Sequence, residues 1–158
     1  MKRNSKGAKK RSRTIQVWTL TQARSAAPYL TSILRSLREH TLEASACRRR
    51  ARQIDARPGR PDRDALIAMQ ESDNAARRAE DNAAQAAAEL EALDIQPLDP
   101  IHGQTLVPFV HEEQLAWYIF DLFDPQLFRF WRFQSDPDDT RRPLTPRQHG
   151  RVEAAETA

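Results

Sequence analysis

The sequence predicts an α+β fold, in which a long antiparallel two-helix hairpin carries a small three-stranded antiparallel sheet packed at its open end. Two long stretches of small apolar residues, spaced alternately three and four positions apart, predict the helices. Three short runs rich in β-branched and aromatic residues then predict the sheet. Hydrophobic residues make up only 39% of the 158 positions, which fits long amphipathic helices because each buries one narrow stripe.

The first helix is predicted over residues 19–55. Thr19 and Gln22 have the spacing of a capping box at its start. Pro28 lies in an early turn and is expected to bend the helix, and the proline- and glycine-rich stretch 56–62 ends it. The seam along this helix is apolar except for one histidine and consists of Ala23, Ala26, Leu30, Ile33, Leu37, His40, Ala44, Cys47, Ala51 and Ile54.

The second helix is predicted over residues 62–94. Asp62 is a plausible N-cap, and Asp64 is favourable in the first turn near the positive end of the helix dipole. Two helices of similar length joined by a short turn form an antiparallel hairpin. Its seam residues are Ala65, Met69, Ser72, Ala76, Ala79, Ala83, Ala86, Leu90 and Leu93. The apolar faces widen toward the open end, so another element is expected to cover that end.

Strands are predicted at about 105–111, 115–123 and 127–133. The segment 115–133 holds eight of the eleven aromatic residues, and its first run is apolar on nearly both faces, as in a central strand. Pro108 lies within the predicted strand at 105–111 and favours an edge position for that strand. The inner face of this sheet is expected to cap the helical hairpin.

Residues 15–146 are predicted to form one domain, flanked by disordered tails at 1–14 and 147–158. Cys47 is the single cysteine, so no intrachain disulfide can form and a reducing compartment is expected. The chain lacks an apolar run long enough to span a bilayer and an apolar signal core, so a cytoplasmic location without membrane contact is expected.

Four motifs occur in a distinctive order: "WTLTQARSAAPYL" (18–30), "ELEALDI" (89–95), "LAWYIFDLFDPQLFRFW" (115–131) and "RRPL" (141–144). This order resembles a small bacterial family, a domain of unknown function that pairs a helical hairpin with an aromatic β-segment ending in Arg-x-Pro-Leu. The chain departs from that family at Arg132, where a histidine is usual, and in the acidic loop after it. The resemblance implies the fold and brings no established activity.

Basic charge is concentrated in two places, although the net charge is only +3. The N-terminal tail contributes Lys2, Arg3, Lys6, Lys9, Lys10, Arg11 and Arg13. The predicted interhelical turn contributes Arg48, Arg49, Arg50, Arg52, Arg57, Arg60 and Arg63, opposed by Asp55 and Asp62. Such clusters attract the phosphates of a nucleic acid or a ribosomal surface, and the alternative is a solvated helix end.

The sequence offers weak support for a metal site or an enzyme. The polar residues Asp99, His102, His111, Glu112 and Glu113 lie close together, but the nine-residue spacing of the histidines matches no regular ligand motif. Cys47 and His40 lie two helical turns apart, too far to act as a catalytic couple. We therefore expect no metal, no cofactor and no enzymatic activity.

The aromatic sheet is the remaining candidate, with Trp117, Trp131, Arg129 and Arg132 as possible anchors for a protein partner or a second copy of the chain. The alternative is that one face packs on the helices and loops cover the other. The first functional hypothesis is a non-enzymatic protein-interaction or scaffold module, possible as a homodimer. The second is a nucleic-acid or ribosome-associated protein, and a small metal-binding protein or enzyme ranks third.

Overall fold

The computed structural model describes residues 13–145, so the two predicted tails lie outside the described residues except for Arg13 and Thr14. Three helices are followed by five strands, which confirms the predicted α+β class. The helices are α1 (Leu20–Ser25), α2 (Ala27–Asp55) and α3 (Arg63–Ala92).

The predicted continuous helix over 19–55 is wrong in one respect, because it is interrupted at Ala26. Thr19 forms the predicted capping box: its hydroxyl accepts from the Gln22 amide at 3.1 Å, and its own amide donates to Gln22 Oε1 at 3.0 Å. Pro28 is the second residue of α2. It has no amide hydrogen and its ring would collide with the carbonyl of Arg24 in a continuous helix, so the regular helix is interrupted there.

Helices α2 and α3 lie antiparallel and are joined by residues 56–62. The Tyr29 hydroxyl donates to Glu89 near the open end. Asp62 caps α3 as predicted, accepting from the Ala65 amide at 2.7 Å. The buried seam near the turn contains Ala44, Cys47, Ala51 and Ile54 of α2 and Ser72, Ala76 and Ala79 of α3. These small side chains bury little apolar area, so they contribute only modest hydrophobic stabilisation to this part of the hairpin.

The sheet contains β1 (Gln96–Asp99), β2 (Gln104–His111), β3 (Gln114–Asp121), β4 (Phe128–Phe133) and β5 (Arg142–Pro143), paired antiparallel in chain order. The predicted three strands correspond to β2, β3 and β4, so the predicted strand number is wrong. Both missed strands are short, contain a proline and lie at the sheet edges, where proline is tolerated.

The predicted edge position of the first strand also needs correction, because β2 has neighbours on both sides. Pairing with β1 ends at Leu106, so Pro108 lies beyond β1 and no neighbouring carbonyl of β1 requires its missing amide hydrogen. Its own carbonyl accepts from the Trp18 amide at 2.8 Å. The β2–β3 turn places Glu112 and Glu113 at φ values of 48° and 62°, as the tight hairpin twist requires.

The sheet caps the open end of the hairpin, and β3 is buried on both faces, as expected for its central position. On the inner face, Phe109 and Tyr118 stack with ring centroids 3.8 Å apart and pack with Leu30, Leu34 and Leu90 of the helices. Burial raises the pKa of Tyr118 to about 12. The outer face carries a smaller cluster of Leu106, Trp117 and Ile119 with partly buried neighbours.

The shared core reaches Leu37 on α2 and Ala83 on α3. Residues 40–82 therefore pack mainly helix against helix, and we call this part of the hairpin the helical arm. The interhelical turn and its arginines lie at the end of this arm, away from the sheet.

Candidate polyanion interface

The end of the helical arm carries a concentrated positive charge. Residues 48–63 contain seven arginines against Asp55 and Asp62, a net charge of +5. We call six of these arginines, all of them exposed, the arginine tip: Arg49, Arg50, Arg52, Arg57, Arg60 and Arg63. Within residues 13–145 none of the six forms an ion pair. The Asp62 carboxylate accepts from the first turn of α3, so most of the tip's charge faces solvent.

Arg49 and Arg52 lie three residues apart on α2 and line the same side of the arm. Beside them is an open groove of about 470 Å³, to which Thr41 and Ser45 also contribute. Arg57 and Arg60 lie in the turn, and Arg63 begins α3. The guanidinium groups therefore spread around the end of the arm and could contact several phosphates of one chain.

Arg48 has a different role from the other arginines at the turn. Its Nε donates to Glu80 at 3.0 Å, and its Nη1 donates to Asp73 at 3.2 Å. The hydrogen bond to Glu80 raises the pKa of Arg48 and lowers the pKa of Glu80. Arg48 therefore joins α2 to α3 and sets their register, and it is not free for a ligand as the sequence suggested.

The structure buries most of the predicted partner anchors. Trp117 is 4% exposed in the outer cluster, Trp131 is 5% exposed in the main core, and Arg132 is 5% exposed. Arg132 Nη1 donates to the carbonyls of Phe133 and Asp136. Burial of these three side chains does not support their prediction as surface anchors, because their apolar area is already used within the chain.

Arg129 is the exception among the four, since it remains partly exposed. Its guanidinium donates two hydrogen bonds to the Asp124 carboxylate, at 2.8 and 2.9 Å. The hydrogen bond raises the pKa of Arg129 and lowers that of Asp124. Arg129 thus closes the β3–β4 loop, and binding a partner would require it to share or lose this pair.

The histidines and acids of the candidate metal site are not brought together. Asp99 holds His102 and accepts from the Ile101 and His102 amides, which lowers the pKa of Asp99, the His102 side chain being the largest cause. His111 lies at the other end of β2, in edge contact with Trp131. Over the described range 13–145, no group of three or more metal-ligating side chains occurs.

Sequence reasoning missed the role of residues 13–18, which we call the N-terminal strap. Asp94 accepts from Arg13 Nη2 at 2.6 Å and from the Gln16 amide at 2.8 Å. The Trp18 indole donates to the Leu93 carbonyl at 3.3 Å. These bonds tie the strap to the end of α3, although Arg13 and Thr14 were predicted to belong to a disordered tail.

Asp94 occupies a backbone position that usually needs glycine. The Ile95 amide donates to the Leu90 carbonyl and the Asp94 amide donates to the Glu91 carbonyl, both at 3.0 Å, which is the Schellman ending of a helix. Asp94 has a φ of 56°, in the left-handed region. The two hydrogen bonds from the strap explain why an acid is found at this position. The sequence signal that was available is an aspartate, Asp94, directly after the last seam residue, where glycine is the usual residue.

No protein-family model, curated protein or solved structure matches this chain. The resemblance to a bacterial family of unknown function therefore stays a prediction. No helix in the described part of the chain has the length and apolar character needed to cross a bilayer.

Proposed function

We propose that this protein is a non-enzymatic binding module whose arginine tip contacts the phosphates of a nucleic acid. The observation that carries the proposal is the set of six exposed arginines at the end of the arm, none of them ion-paired within residues 13–145. When unpaired surface cations neutralise phosphates, counterions condensed on the nucleic acid are released, which makes binding favourable and dependent on salt.

The shape of the molecule supports the same proposal. The tip belongs to a hairpin that is anchored at its other end by the sheet, and Arg48 bridges its two helices. Four of the six cations lie on α2 or α3, which lowers the backbone entropy that would be lost on ordering them at a ligand. Residues 1–12 of the basic N-terminal tail lie outside the described residues and contain six further positive charges and no acid.

The proposal is tested by measuring the affinity for a fluorescein-labelled single-stranded RNA by fluorescence anisotropy at low salt. The double variant R49Q/R52Q removes two exposed arginines and should weaken binding about tenfold, if each contact contributes about 0.7 kcal/mol. R24Q/R35Q removes the same charge from exposed positions near the sheet and is the matched control. If both variants weaken RNA binding equally, binding depends on the net charge of the protein and not on the arginine tip, and the proposal is overturned.

A protein-interaction role is the second candidate, at a different surface from the one the sequence suggested. Phe123 is 62% exposed and Ile101 is 43% exposed on neighbouring loops. Arg38 joins them, since its Nε donates to the Ile101 carbonyl at 2.8 Å and its guanidinium lies 5.1 Å from the centre of the Phe123 ring. Exposed apolar side chains around an arginine are typical of interface centres.

We propose a second copy of the chain as the occupant of this surface, which keeps the homodimer hypothesis open. Sedimentation velocity over a range of protein concentrations tests it. Phe123→Ser should abolish any concentration-dependent increase in size, whereas Val110→Ser, at another exposed apolar position, should leave it unchanged. A wild-type protein that stays monomeric at all concentrations, or a dimer that tolerates Phe123→Ser, would rule this surface out.

A further inference from the structure

A cavity of about 370 Å³ lies between the N-terminal strap, the end of α3 and the start of β1. It is separate from the arginine tip and from the Ile101–Phe123 surface. Its apolar lining comes from Ile15, Ala87, Ile95, Pro97 and Trp117, and its polar lining from Arg13, Glu91, Asp94 and Gln96. The volume and the mixture of an apolar wall with few polar groups are those of a small-molecule site.

The charges around this cavity are unequal. Arg13 and Asp94 neutralise one another through a 2.6 Å ion pair, and Asp94 also accepts from the Gln16 amide. Glu91 is exposed and has no cationic partner within residues 13–145. The rim therefore carries one uncompensated negative charge, and the Trp117 side chain lines the same cavity.

We propose that this cavity binds a small amphipathic amine, a molecule with a short apolar body and one ammonium group. A carboxylate and an aromatic ring that line one cavity both favour a cationic ligand, because both attract positive charge. The apolar body contacts Ile15, Ala87 and Pro97, and the ammonium group lies at the rim near Glu91. The strap supplies one wall, so the two bonds to Asp94 keep the site assembled.

The three tryptophans make this proposal directly testable by ¹⁵N–¹H NMR of the full chain. Each indole N–H gives its own peak, and Trp117→Phe assigns the peak of interest. Titration with n-hexylamine should shift the Trp117 peak with a dissociation constant on the order of 1 mM, a common strength for a ligand of this size. The Trp131 peak, from a ring that does not line the cavity, is the internal control.

Two variants and two matched ligands decide the outcome. Glu91→Gln removes the rim charge from an exposed position and should weaken hexylamine binding about threefold to fivefold, the effect of one partly exposed ion pair. Ala87→Leu fills the cavity and should abolish the shift of the Trp117 peak. Hexanol and hexanoate should bind more weakly than hexylamine. The proposal is overturned if hexylamine does not shift the Trp117 peak, if hexanoate binds as tightly as hexylamine, or if Glu91→Gln leaves the affinity for hexylamine unchanged.

Discussion

Substitution of Asp94 separates two roles that this residue combines at the end of α3. Its backbone ends the helix with a φ of 56°, and its carboxylate holds the N-terminal strap through Arg13 and the Gln16 amide. If only helix termination mattered, glycine would be the best residue here, because a left-handed conformation costs other residues roughly 1 kcal/mol. If the carboxylate matters more, glycine should destabilise the protein.

The magnitudes favour the carboxylate. The Arg13 side chain is 64% exposed, so screening by water limits its ion pair to less than about 1 kcal/mol. The bond from the Gln16 amide to a charged acceptor that is only 15% exposed adds about 1.5 kcal/mol. Asp94→Gly relieves the backbone strain, which stabilises the protein by about 1 kcal/mol. It also removes the ion pair and the hydrogen bond to the strap, which costs about 2 kcal/mol, so the net destabilisation is about 1 kcal/mol.

Two further substitutions at Asp94 complete the series. Asp94→Ala keeps the backbone strain and loses the carboxylate, so the free energy of unfolding should fall by about 2 kcal/mol. Asp94→Asn retains one acceptor and tolerates the left-handed region, so it should be the mildest, at about 0.5 kcal/mol. Urea unfolding followed by circular dichroism measures all three. An Asp94→Gly protein as stable as the wild type, or more stable, would refute the reasoning.

Three other substitutions test the fold. Gly103→Ala places a Cβ only 2.8 Å from the Leu122 Cβ at a φ of +69°, so thermal unfolding should show a loss of about 1–3 kcal/mol. Ala79→Leu, at a seam position that is 2% exposed, should cost about 1–3 kcal/mol by forcing the helices apart, whereas Ala84→Leu at an exposed position of the same helix should be nearly neutral. The third test is of pH: the Arg142 guanidinium lowers the pKa of Asp136 to about 2, below its usual value near 3.8. The stabilisation is therefore complete from about pH 5 upward and is lost as the pH falls through 3.8 toward 2. The difference in free energy of unfolding between wild type and Asp136→Asn should shrink over that window.

The hairpin could be predicted because its information is local. The spacing of Leu30, Ile33 and Leu37 already defines a helix face, and Thr19 and Asp62 cap their helices through neighbours three residues away. The strands β1 and β5 could not be predicted in the same way. Each is short and contains a proline, and its backbone pairs with β2 or β4, so it becomes a strand only because the central sheet provides a partner.

The candidate site was predicted only in part for a related reason. The arginines at the turn are visible in the sequence, but the pairing of Arg48 with Glu80 joins residues 32 positions apart. The prediction of Trp117 as an anchor followed from an apolar β3, and β3 is apolar because both of its faces are buried. Composition therefore locates charge and apolar area along the chain, while the tertiary contacts determine which of it remains on the surface.

The dependence of RNA affinity on salt tests the role of the arginine tip most directly. The logarithm of the binding constant for single-stranded RNA should fall linearly with the logarithm of the salt concentration. Each phosphate contact should add about 0.7 to the magnitude of the slope. R49Q/R52Q should therefore reduce the slope by about 1.4, and R24Q/R35Q should leave it unchanged. A wild-type slope in R49Q/R52Q would show that neither arginine contacts a phosphate, and it would contradict the account of the tip as the nucleic-acid interface.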